Sequence, residues 1–130
     1  AVADGVVVRT GLGIVMLDLD GDGDERTGWV VFYLHVAEEG RVQVGDVLKQ
    51  GDPVGYPSCE GGRSTGTHVH LARKYNGQWI PAASPVLPFN LSGWIPVDGE
   101  SPYEGWLVRG NDTVRASVLS DAESMVPAEE

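Results

Sequence analysis

The stretch STGTHVHLARK, Ser64 to Lys74, sets two histidines either side of one valine. Read as a strand, it turns His68 and His70 to one face and Val69 and Leu71 to the other, because strand side chains alternate with period two. Imidazole is a frequent zinc ligand and a frequent general base near neutral pH. Two imidazoles on one face therefore make a candidate site. The plainer alternative is one packed histidine and one solvated histidine. The chain has only three histidines, and the third, His35, closes another strand-like run.

Outward from this stretch the chain reads as short strands and tight turns. YNGQ is a hairpin turn and WIPAA the returning strand. WVVFYLHV, residues 29–36, is a strand by its β-branched and aromatic content. Its alternation puts Val31, Tyr33 and His35 on one face, with Val30, Phe32, Leu34 and Val36 on the other. GVVVRT and GIVMLDLD are strands joined by a GLG turn. The segment EEGRVQVGDVLKQGDPVGYP is broken at Gly40, Gly45, Gly51 and Gly55, a spacing too short for helices. Residues 84–88 are a proline-marked connector, and two or three more short strands follow. The Gly-Trp pair recurs at 93–94 and 105–106, which is too few copies for a repeat architecture. The last dozen residues are acidic and expected to fray. No long helix is predicted.

Composition bounds the partners. A chain of 130 residues has the size of one domain. Its 18 glycines and 8 prolines suit many turns. The net charge of −10 argues against nucleic acid, whose binding runs on Lys and Arg neutralising phosphates. It argues equally against an anionic membrane surface. No apolar run reaches membrane-spanning length, so membrane insertion is not expected. Cys59 is the single cysteine, so no internal disulfide can form. A small packed or turn residue is its commoner role.

Three segments in order carry more than any one of them: YLHV, VQVGDVLKQGDPVG and STGTHVHLA. Together they resemble the LytM/lysostaphin-like zinc metallopeptidases, β-rich peptidoglycan endopeptidases. That family shows a Tyr-x-His-Leu strand end, a glycine-punctuated segment, and a Gly-x-His-x-His-x-Glu strand. Here Val36 replaces the usual leucine and Ala72 stands where an acid is common. AVADGVVV resembles the strand that precedes them. The likeness covers about residues 1–83.

The resemblance implies a mainly β fold, with antiparallel sheets in a barrel-sandwich-like peptidase domain (a duplicated hybrid motif). That domain is expected over residues 1–85, with 86–130 a C-terminal β-hairpin extension packed on it. His70 matches a zinc ligand. His35 and His68 match the two catalytic, non-ligand histidines that activate water and stabilise the oxyanion, and Tyr33 and Thr67 are the expected substrate-binding residues. Zinc is the implied cofactor and peptidoglycan the implied partner. A monomer is expected, secreted or in the envelope of a bacterium.

The family's other two zinc ligands lie in a His-x-x-x-Asp motif before the AVADG strand, and no histidine here precedes His35. A catalytic zinc takes three protein ligands. The expectation is that the chain starts inside its domain and is inactive as it stands. The alternative is a degenerate LytM-type copy that binds cell wall or regulates a partner without chemistry. A biotinyl or lipoyl carrier has a similar glycine layout, but Lys49 and Lys74 lack a carrier lysine's flanks and the histidines would go unexplained.

The loop DLDGDGDERTGW places Asp18, Asp20, Asp22 and Asp24 at alternate positions with Gly23 sixth, which opens like a calcium loop. Trp29 stands where the bidentate glutamate belongs, and the flanks are strands. A solvated Asp-Gly hairpin is the weightier reading, with weak calcium binding the other. Trp79, Trp94, Trp106 and Tyr75 would suit a glycan groove, although core packing is their commoner role.

Overall fold

The β-branched and aromatic runs pair with one another, always antiparallel. The computed structural model describes residues 1–117 and 122–126. Two compact units divide it, Ala1–Ile80 and Pro81–Glu130. The first holds β1 (Gly5–Gly11), β2 (Ile14–Asp18), β3 (Trp29–Leu34), β4 (Val47–Leu48), β5 (His70–Tyr75) and β6 (Gln78–Trp79). They form one sheet in the order β4-β1-β2-β3-β5-β6, with β4 and β6 as its edges.

Register explains the core. Val7 lies opposite Leu17 on β2. Leu17 and Val15 lie opposite Val31 and Tyr33 on β3, and Tyr33 lies opposite Leu71 on β5. Directly opposed residues share a face. Val7, Val15, Leu17, Val31, Tyr33, Val36 and Leu48 accordingly form one cluster, with Val42, Val54 and Leu71 packed against it. Each fully buried Val or Leu contributes about 1.5–3 kcal/mol. Met16 and Val30, on the opposite face, are fully buried too. Burial on both faces is why the IVML run does not alternate.

Two hairpins are tight. Leu12 and Gly13 both take positive φ (51° and 77°) between the paired Gly11 and Ile14. Asn76 and Gly77 do the same between Tyr75 and Gln78. Two consecutive positive φ values make the turn whose twist matches its flanking strands. Asn76 is fastened further, since its side-chain oxygen accepts the Gly28 amide at 2.9 Å. The returning strand is only Gln78–Trp79, shorter than WIPAA.

The alternation expected across residues 29–36 breaks at His35. Its φ of 67° is left-handed, so the strand ends at Leu34 and the face count resets. Val36 then enters the same core as Val31 and Tyr33, on the side the regular pattern had assigned to His35. His35 leaves that core and faces His68 instead.

The second unit contains β7 (Ile95–Asp98), β8 (Gly105–Arg109) and β9 (Asp112–Arg115), a three-stranded antiparallel meander. Trp94 is buried and the Arg109 guanidinium lies 4.6 Å from its ring centre. One 3₁₀ turn spans Ala122–Ser124. Much of the acidic tail expected to fray, residues 118–121 and 127–130, lies outside the described residues. The chain is mainly β and antiparallel, as expected.

Candidate active site

His35 is held from three directions. Its Nδ1 lies 2.7 Å from the Glu60 carbonyl oxygen. A carbonyl only accepts, so Nδ1 carries the hydrogen and Nε2 is the free nitrogen of the neutral ring. The His35 carbonyl accepts from the Ser58 amide at 2.7 Å and from its hydroxyl at 3.0 Å. These contacts stabilise a backbone conformation that otherwise costs about 1–3 kcal/mol. The residue is 4% exposed.

His68 arrives from the loop before β5. It bridges Ser58 across an isolated antiparallel pair. Its Nδ1 donates to the Gly66 carbonyl at 2.9 Å, with the Ser64 hydroxyl at 3.3 Å. Its free nitrogen is therefore also Nε2. The His35 and His68 rings stand 4.6 Å apart at 56°. A common tautomer in two adjacent imidazoles leaves two nitrogens able to take a proton, and to give it back once protonated.

His70 begins β5, opposite Leu34. Its ring meets the edge of Phe32 at 6.4 Å. Partial burial, and then the nearness of His35 and His68, push its pKa below the ordinary histidine value. A neutral imidazole is the form a metal requires. The platform continues past His70, since Phe32 packs edge-on to Trp79 at 5.5 Å and the Lys74 ammonium sits 4.8 Å from the Trp79 ring.

The remaining expected residues lie elsewhere. Thr67 is exposed beside His68. Tyr33 is a core residue, 6% exposed, and its hydroxyl accepts the Val2 amide at 2.9 Å. Cys59 is a free, exposed thiol between Ser58 and Glu60. Ser58, Glu60 and Gly66 help to set the histidine poses without having been singled out in the sequence. Glu60 and Gly66 act through carbonyls, which every residue has. Only the Ser-Thr-Gly turn at 64–66 was a readable signal.

In the acidic loop, Asp18, Asp20 and Asp22 bring three ligand oxygens within 4.8 Å of one another, the one such group among the described residues. Asp18 is fully buried and already accepts the Gly23 amide at 2.8 Å and the Asp20 amide at 3.3 Å. The Asp22 amide draws the Asp20 carboxyl down, but desolvation and the Asp18 and Asp22 carboxylates outweigh it and leave it raised. Asp24 accepts from the Arg26 side chain and amide, which hold its carboxyl at about 2. The loop is thus organised by its own amides and one arginine.

A zinc site needs three convergent protein ligands. His70 suits one of them, a neutral imidazole on an exposed residue, without a hydrogen bond to the described residues. No described group of three ligand atoms includes His70. The described residues supply one ligand of such a site and do not complete it.

The architecture and motifs have known counterparts. The M23 metalloprotease pseudoalterin, from the deep sea, superposes with a TM-score of 0.68 at 23% identity, over 88% of this chain and 66% of its own. LytU superposes with a TM-score of 0.48 at 28% identity, over 64% of this chain and 59% of its own. The chain thus spans about two thirds of the longer pseudoalterin chain and less of LytU. No curated protein matches it in sequence. The sequence profile described as Peptidase family M23 matches residues 1–82, taking in all three histidines and the glycine-punctuated segment, and on that match the chain belongs to peptidase family M23.

Proposed function

We propose that the chain carries the histidine part of the active site of a zinc metalloendopeptidase that cuts peptide bonds of bacterial peptidoglycan, outside the cell or in its envelope. The observation that carries this reading is the His35–His68 pair, two rings 4.6 Å apart with each Nδ1 fixed on a carbonyl. Both rings thereby keep Nε2 uncommitted to a hydrogen bond among the described residues.

In this reading one Nε2 takes the proton of the attacking water. The other, once it has taken up a proton and its ring is an imidazolium, donates that N–H to the oxygen that becomes negative as the scissile carbonyl turns tetrahedral. His70 serves as a ligand to zinc, which when bound supplies a Lewis acid and a water acidic near neutral pH. The Phe32–Trp79 platform beside His70 offers apolar surface to the substrate, and Thr67 a hydroxyl at its rim.

The incomplete ligand set favours a second reading, a non-catalytic module that binds cell wall. Release of peptides from purified peptidoglycan, measured with zinc content on the protein at its natural length, separates the two. The enzyme reading expects zinc at one equivalent, hydrolysis abolished by chelator and restored by zinc, and hydrolysis by His68→Ala reduced at least about 100-fold. Retention on cell walls with neither zinc nor peptide release overturns it.

A further inference from the structure

We propose that Gly13 and Ser58 are positioning residues which, through the Glu60 carbonyl, hold His35 as the Nδ1–H tautomer with Nε2 free beside His68. The proposal rests on His35 handling a proton, as in the peptidase reading.

The contact begins in the β1–β2 turn. A Cβ built on Gly13 would lie 2.6 Å from the Glu60 carbonyl oxygen, 2.7 Å from its carbon and 2.9 Å from the Gly61 nitrogen. Real Cβ atoms do not approach so closely, so only glycine lets the turn lie against this peptide group. Gly61 answers from the other side at φ 82°, where a Cβ would overlap the Leu12 carbonyl oxygen. Two glycines back to back thus seat the 58–62 loop on the turn.

Hydrogen bonds close the arrangement around His35. The Val36 amide donates to the Gly13 carbonyl at 2.9 Å, tying the residue after His35 to the same turn. The Ser58 hydroxyl donates to the His35 carbonyl at 3.0 Å and accepts the Glu60 amide at 3.0 Å. One hydroxyl therefore connects the His35 backbone to the residue that holds its ring. The Glu60 carboxylate anchors the far side, with both oxygens 3.1 Å from the Glu38 amide. The acceptor is a main-chain carbonyl, which cannot exchange roles as a side-chain amide or hydroxyl could. Its position alone decides which ring nitrogen of His35 keeps the hydrogen.

The test reads the tautomer directly. Chain labelled with ¹⁵N-histidine is examined by long-range ¹H–¹⁵N correlation at alkaline pH, where the imidazoles are neutral. Wild-type His35 is expected as Nδ1–H. Gly13→Ala is expected to move His35 to a mixed or Nε2–H state. In the same variant of the protein at its natural length, kcat for peptide release falls about 100-fold at unchanged KM, as for a misplacement of about 1 Å. Gly11→Ala is the control: it lies in the same hairpin at positive φ, but a Cβ there meets nothing within 4 Å, so the wild-type tautomer should remain.

A wild-type His35 that is not Nδ1–H, or a Gly13→Ala spectrum like that of Gly11→Ala, overturns the proposal. Should Gly13→Ala not fold, Ser58→Ala gives the same readout with a partial shift, and Ser58→Thr, which keeps the hydroxyl, restores the wild-type state. An unchanged tautomer in Ser58→Ala would equally overturn it. Since the tautomer is read without substrate or metal, failure of the peptidase reading shows up separately, as absent hydrolysis with an intact Nδ1–H signal.

Discussion

His35 and His68 lie with ring centres 4.6 Å apart, tilted at 56°, and both Nδ1 atoms turn to backbone carbonyls, Glu60 for one and Gly66 for the other. The two rings come from different places in the chain, a strand end and a loop before another strand. The Ser58 segment joins them, since Ser58 donates to the His35 carbonyl and pairs with His68.

Residues that serve one transition state as a unit fail together. His35→Ala and His68→Ala are each expected to lower kcat/KM for peptide release about 10²- to 10⁴-fold. The double variant should fall little further than the worse single one, because either loss already breaks the unit. A double-mutant cycle on a soluble wall peptide checks this. Fully multiplicative losses would show that the two rings act independently. His68 is exposed, so its removal should leave the melting temperature nearly unchanged.

Tyr33 separates a structural role from a substrate one. Its hydroxyl holds the Val2 amide inside the core, so Tyr33→Phe should cost about 0.5–1.5 kcal/mol of stability with kcat/KM held within about twofold. Burial raises the phenol pKa above its usual value, against a smaller opposite effect of the Val2 amide. The folded chain therefore keeps this proton at pH values where the unfolded chain loses it. The stability it confers is complete below about pH 10 and declines as pH rises through the raised value. Melting curves from pH 8 to 11 should show an alkaline decline that Tyr33→Phe flattens. A large drop in activity at unchanged stability would return Tyr33 to the substrate.

How far the sequence spoke for the site can be followed residue by residue. β3 and β5 were legible as strands in WVVFYLHV and THVHLARK, because β-branched content and alternation are properties of side chains, whereas their pairing with each other was not. The reset at His35 was not, since a left-handed non-glycine residue is imposed by the Ser58 and Glu60 contacts arriving from 23 and 25 positions away. Hydrogen bonds to carbonyls leave no compositional trace at Glu60 or Gly66. The acidic loop was visible as a pattern, while the burial of Asp18 on a two-sided sheet was hidden in the non-alternating IVML run.

Asp18 and Asp20 should behave differently despite one motif. Asp18 is fully buried and accepts two amides. Replacing it with alanine leaves those donors short of a partner, at about 1–3 kcal/mol. Asp20 is exposed and accepts the Asp22 amide at 3.2 Å, so Asp20→Ala should stay within about 0.5 kcal/mol. Urea midpoints in calcium-free buffer measure both. Equal losses would mean that the loop is not organised around Asp18.

His70 and His68 differ by two positions and should differ entirely in what they do for a metal. His70 has a pKa lowered by burial and by its two neighbours, and so presents a neutral ring, while His68 lies against His35 and is assigned to proton handling with it. A ligand that binds only the folded state at about 100 times its Kd stabilises by about 2.7 kcal/mol. In the protein at its natural length, zinc at that excess should raise the melting temperature of wild type and of His68→Ala alike. His70→Ala should lose most of that increase, because a three-ligand site without one ligand no longer competes with water. Activity is lost in both variants, so the thermal shift is the measurement that tells them apart. If zinc stabilises His70→Ala as strongly as wild type, His70 is not a ligand, and the asymmetric division of labour within His-Val-His fails with it.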